Sequence, residues 1–137
     1  MKYAILAIVS VFGVLAGADS QVLRPHDHYY HIGEFETSNP FNWDRDTVTS
    51  NVREWTDGVV FEVERGTAVE IRDITIICSR GDVCDRVRGG TADDRRPLRI
   101  RFRRDLDVAS ITVNSKPRGF SVPPPRVNVY LESSSGW

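Results

Sequence analysis

The chain reads as an all-β protein: a single antiparallel β-sandwich or barrel-like domain after an N-terminal signal peptide. Three observations predict this. Apolar and polar residues alternate with period two in several windows. Turn residues break those windows at short intervals, and no window past the first eighteen residues carries a sustained helical stripe. Short strands at regular spacing with turn signals between them point to a sandwich or barrel.

The elements follow in chain order. Met1 and Lys2 precede an apolar run from Tyr3 to Leu15, and Ala16-Gly17-Ala18 is a small-residue cleavage site. That pattern predicts a signal peptide over 1–18, and the run is shorter than the ~20 residues a membrane-spanning helix needs. Secretion to the extracellular space is the expected destination. The mature chain then has 119 of the 137 residues (137 − 18), enough for one domain. Residues 19–28 are expected as an extended arm, 29–132 as the sandwich and 133–137 as a flexible tail.

Within the domain, "VVFEVER" (59–65) sets Phe61 and Val63 against Glu62 and Glu64. "AVEIRDITII" (68–77) sets Val69, Ile71 and Asp73 against Glu70 and Arg72 before turning apolar. "LRIRFRR" (98–104) sets Leu98, Ile100 and Phe102 against Arg99, Arg101 and Arg103. "ASITVN" (109–114) and "RVNVYLE" (126–132) alternate in the same way. Two weaker strands are expected at 29–35 and 47–52. Turns fall at Arg65-Gly66, Gly89-Gly90, Ser115 to Gly119 and Pro123-Pro124-Pro125.

Charge narrows the function classes. The chain has 18 basic and 19 acidic residues, and removal of Lys2 with the signal leaves 17 − 19 = −2. Such a balance does not predict a nucleic-acid partner. The charge is nonetheless segregated, with Arg80 to Arg104 rich in arginine. Arg99, Arg101 and Arg103 are a candidate array for an anionic partner such as a sulfated glycan, since guanidinium pairs bidentately with sulfate and carboxylate. The opposing expectation is internal pairing with Glu62, Glu64 and Glu70 across strands.

Two cysteines in a secreted chain predict one disulfide, Cys78–Cys84, closing a loop worth about 2 kcal/mol in chain entropy. The loop reads Cys-Ser-Arg-Gly-Asp-Val-Cys. Ser79 to Val83 would form a hairpin tip with Arg80 and Asp82 pointing outward and Gly81 free to take positive φ. An integrin would read Arg80 by an acidic groove and Asp82 by a divalent cation. A chance tripeptide in an Arg- and Asp-rich hairpin is the competing reading.

Other constellations are weaker. His26, Asp27, His28 and His31 cluster near the arm, and a flexible polar segment explains them better than a metal site. Phe41, Trp43 and Trp55 are expected to cap the open end of the sandwich or to form a surface for apolar or sugar ligands. No catalytic motif emerges, so no enzyme, metal or cofactor is predicted. The expected molecule is a monomer that binds a partner, with carriage of a small apolar ligand between the sheets as a further option.

A family resemblance adds to this. "ITII" from Ile74, "RGGTA" (88–92), "SITVNSKPRGF" (110–120) and "VNVY" (127–130) occur in the order that resembles the insect multiprotein-bridging-factor-two family. The resemblance covers about the C-terminal half of the mature chain. It implies a small secreted β protein of a body fluid or glandular secretion. The chain departs from the family pattern in "LRIRFRRDLD" and in the cysteine-closed loop. The family's name implies transcriptional coactivation, which the expected signal peptide opposes.

Overall fold

The computed structural model describes residues 28–134. The expected signal peptide, the expected arm up to residue 27 with His26 and Asp27, and residues 135–137 of the expected tail lie outside the described residues. Nine strands are described: β1 (His28–Glu36), β2 (Asp44–Thr49), β3 (Thr56–Arg65), β4 (Val69–Cys78), β5 (Val83–Val87), β6 (Gly90–Ala92), β7 (Leu98–Leu106), β8 (Val108–Pro117) and β9 (Arg126–Ser133). All pair antiparallel, in two sheets packed face to face. One sheet has the order β1-β9-β3-β7, and the other β2-β8-β4-β5 with β6 also on β4. No helix occurs among the described residues, so none is long and apolar enough to cross a membrane.

The alternation sets the layers. Val59, Phe61 and Val63 of β3, Val127, Val129 and Leu131 of β9, and Phe102 of β7 point into the sandwich from the first sheet. Val69, Ile71, Ile74 and Ile76 of β4 and Ile111 and Val113 of β8 meet them from the second. These β-branched and aromatic side chains suit a pleated, half-buried surface, and their burial is the main favourable term in folding.

The strand expected at 47–52 lies at Asp44–Thr49, and two further details differ from the sequence reading. Strict alternation along β4 would turn Asp73 inward. Instead Asp73 takes φ 51° and is exposed, and the pairing of β4 with β8 shifts register between Arg72 and Thr75. This bulge advances the phase by one, so that Ile74 and Ile76 enter the core. It also divides one edge of β4: Ile74–Ile77 pair with β5, and Val69–Ile71 with β6. Gly89 lies between those two partners. An added Cβ there would sit 1.8 Å from the Ile71 carbonyl oxygen, so only glycine allows this close approach. The second difference is the turn expected over 115–119. Strand β8 continues through Pro117, which pairs with Val69, and the chain turns from Arg118 onward.

Candidate functional site

Two places singled out in the sequence carry candidate chemistry, the cysteine-closed hairpin and the arginine strand, and the structure adds a groove on the second sheet that the sequence did not point to.

The hairpin joins β4 to β5. Cys78 ends β4, Cys84 sits in β5, and the two are bridged with Cα atoms 5.8 Å apart. The tip is four residues, Ser79 to Asp82, because Val83 already belongs to β5. Gly81 has φ 90°, and its N–H donates to the Cys78 carbonyl at 2.8 Å. The Cys78 N–H donates to the Asp82 carbonyl at 3.0 Å, closing the turn. The Ser79 N–H donates to the Asp107 carbonyl at 2.9 Å, which fastens the base of the tip to the β7–β8 connection. Ser79, Arg80, Gly81, Asp82 and Val83 are all exposed, and nothing lies within 4 Å of a Cβ built on Gly81. Neither Arg80 nor Asp82 forms an ion pair among the described residues. Backbone bonds and the disulfide thus hold the loop in one shape while its two charged side chains face solvent.

The arginine strand behaves differently. Arg99, Arg101 and Arg103 lie on β7, at one edge of the first sheet, and each has a carboxylate partner. Arg99 pairs with Glu132, which is 1% exposed, and its Nε donates to Glu132 Oε1 at 3.3 Å. Arg101 reaches Asp57 at 3.0 Å and donates to the Ser134 hydroxyl at 2.8 Å. Arg103 reaches the buried Asp85 at 2.9 Å. Asp85 belongs to β5, so that last pair ties the edge of one sheet to the edge of the other. The sequence anticipated arginine–carboxylate pairing across strands. Glu62 accepts from the Tyr130 hydroxyl at 3.2 Å, Glu64 accepts from Asn128 and lies 3.9 Å from Arg126, and Glu70 pairs with Arg118 at 3.1 Å.

Glu132 is the residue the sequence reading missed. Its alternation marks it as outward-facing, yet it is buried. Gly58 stands opposite it on β3, and a Cβ there would lie 3.3 Å from Glu132 Oε1. The missing side chain leaves room for the carboxylate, and Tyr29 and Arg99 cover it with hydrogen bonds. A glycine opposite an acid in a strand pair was the available signal, legible only once the register is known.

The histidines divide. His28 opens β1, so the expected arm is shorter by one residue, and His31 contacts Asn128 Oδ1 at 3.2 Å. Among the described residues no three His, Cys, Asp or Glu side chains are grouped to hold a metal ion. The aromatics do not form one surface. Phe41 stacks edge-on with Phe120 at 5.6 Å, both strongly exposed, and Trp55 is exposed elsewhere.

Trp43 lines the groove. It precedes β2 and sits under Arg72, whose guanidinium carbon is 3.9 Å from the ring centroid, with Lys116 Nζ at 4.8 Å. The groove has a volume of about 490 Å³, and its walls also include Glu70, Asp73, Arg88 and Thr91 over the Gly89-Gly90 floor. Arg72 pairs with Asp73 at 3.1 Å. Arg88 and Lys116 have no ion pair among the described residues.

Burial perturbs three acids. The Tyr130 phenol is pushed well above its usual range, first by burial and then by Glu62 and Glu64. Tyr30 is raised to about 12 by burial and by its bond to Glu54. Asp46 is raised by burial and secondarily by Asp44, and its Oδ2 is buried without a hydrogen bond. None of the three lines the groove or the hairpin.

Compared with known proteins, the chain matches no family model, no curated protein and no solved structure.

Proposed function

We propose that this chain is a small secreted binding protein without catalytic activity, and that its contact element is the hairpin closed by Cys78 and Cys84. The observation that carries the reading is the hairpin tip: Arg80, Gly81 and Asp82 are exposed at the end of a strand pair, clipped by the disulfide. A loop held in one shape before binding loses less entropy on binding. A solvated guanidinium and a solvated carboxylate on either side of a glycine suit a partner with an acidic groove and a bound divalent cation, as in integrin-type receptors. The disulfide fits an oxidising, extracellular setting. The resemblance to the insect multiprotein-bridging-factor-two family supports a small secreted β protein.

The test is adhesion of integrin-bearing cells to the oxidised protein beside Asp82→Glu. The substitution keeps the charge and moves the carboxylate by one methylene. The expected result is manganese-dependent adhesion to the native protein and little to the variant. Equal adhesion to both would remove the hairpin from the mechanism.

A further inference from the structure

The two sheets present different charge to solvent. Along β4, β8, β2 and β5, the residues whose side chains point away from the core include Arg72, Lys116, Arg45 and Arg86. Arg88 follows β5 and Arg118 follows β8 on the same side, next to Glu70 and Asp73. Six cations therefore face two acids, a local excess of 6 − 2 = +4, on a chain whose overall charge is −1. Glu70 and Asp73 are already engaged by Arg118 and Arg72. Arg45, Arg86, Arg88 and Lys116 form no ion pair among the described residues.

This excess surrounds a groove rather than a flat face. Register places Glu70 opposite Lys116 on one side and opposite Thr91 on the other, so the three side chains share a surface. The bulge at Asp73 and the Gly89-Gly90 floor open that surface into the cavity of about 490 Å³. The volume is within the ~300–1,000 Å³ of small-ligand sites, but the lining is polar. Trp43 forms one wall, half-buried and held by two cations.

We infer that this groove binds a sulfated oligosaccharide. Arg88 on the groove wall and Lys116 at its edge, against Trp43, have no carboxylate partner among the described residues and are the cations for sulfate groups, since anionic oxygens and ammonium or guanidinium donors form the stronger class of hydrogen bond. Trp43, with Arg72 and Lys116 against its ring, is the aromatic wall beside which the sugar lies. Glu70, Asp73 and Thr91 supply oxygen acceptors for its hydroxyls. A purely electrostatic surface would need none of these last four residues, and an apolar pocket would not gather the cations. The site differs from the β7 array, whose guanidiniums are bound to Glu132, Asp57 and Asp85. It is also separate from the hairpin: β4 carries the groove at Glu70–Asp73 and the disulfide at Cys78.

The probe is a defined heparin-derived hexasaccharide, titrated into the full oxidised chain at physiological ionic strength. Its desulfated counterpart serves as the comparison. The expected result is saturable binding with a change in tryptophan fluorescence, lost for the desulfated sugar. Arg88→Ala combined with Lys116→Ala is expected to weaken binding at least tenfold. Arg95→Ala combined with Arg96→Ala removes the same charge from the exposed loop before β7 and is expected to change it less than threefold. Trp43→Phe is expected to abolish the fluorescence change. Circular dichroism and thermal midpoints establish that each variant is folded. An equal loss in both double variants would reduce the interaction to diffuse charge and overturn the site. Absence of saturable binding by the native chain would overturn it as well. Binding to phosphatidylserine vesicles without hexasaccharide binding would also overturn it. In that case Phe41→Ser with Phe120→Ser would show whether the exposed aromatic pair inserts.

Discussion

The outward faces of the two sheets solve the same problem, charge on a pleated surface, in opposite ways. On the β1-β9-β3-β7 sheet the guanidiniums and carboxylates are consumed by one another. Arg126 alone approaches Glu34, Glu36 and Glu64, Arg65 shares Glu36, and Arg99 closes over Glu132. On the β2-β8-β4-β5 sheet the acids run out first and cations are left over. The first face therefore pairs its charges internally. The second has cations in excess, and its backbone makes its closest approach at Gly89. Arginine-rich sequence is thus a poor guide to an anion site: in the densest run, on β7, Arg99, Arg101 and Arg103 are each paired with a carboxylate.

The largest expected effect breaks the second face. Gly89→Ala drives a Cβ into the Ile71 carbonyl, against backbone rather than a movable side chain. We expect loss of cooperative thermal unfolding, or a destabilisation of at least ~3 kcal/mol in urea titrations. The next breaks the first face. Glu132→Gln removes the buried charge from the Arg99–Glu132 pair, at a cost of about 3–5 kcal/mol. Arg118→Ala, which removes a solvated pair on the second face, should cost ~1 kcal/mol or less by the same measurement. Equal effects at the two places would erase the contrast.

Smaller effects sharpen it. Replacing Cys78 and Cys84 together by serine should destabilise by about 2 kcal/mol, because the loop they close is short. The two sheets should survive, with circular dichroism unchanged at 25 °C. A proton effect follows from Asp46, whose folded pKa is raised. A raised carboxyl favours the folded state while protonated. That contribution is complete below the unfolded value and is lost as pH rises through the folded one. Asp46→Asn should therefore raise the thermal midpoint at pH 7 and leave it nearly unchanged at pH 3. An equal shift at both pH values would assign the effect to packing. The smallest signal is spectroscopic. Tyr30 should ionise near pH 12 and Tyr130 later, so alkaline titration at 295 nm should show native phenols ionising above the ordinary range.

The extent to which these features could be read in advance follows their range along the chain. The strands at 59–65, 98–104, 109–114 and 126–132 were legible because alternation is local, and each lies within an observed strand. The hairpin was legible because its cysteines are six residues apart. Asp73 defeated the reading: a bulge inserts one residue, and period two cannot announce its own interruption. Glu132 defeated it because its burial depends on Gly58 and Arg99, far away in sequence. The groove was the least legible. Trp43, Arg72, Arg88 and Lys116 come from four separate segments, and no spacing links them.

The sequence by itself determined what each residue can know about its neighbours: which segments extend, which of their side chains share a face, and where a short disulfide closes. It does so because extended backbone sends successive side chains to opposite sides whatever the rest of the chain does. Only the tertiary structure decided which carboxylate meets which guanidinium. That choice depends on strand order, β9 between β1 and β3 in one sheet and β8 between β2 and β4 in the other. Partners across strands lie tens of residues apart, and their meeting is set by the burial of both sheets' inner faces together. Charge left over on one outward face is a consequence of that arrangement.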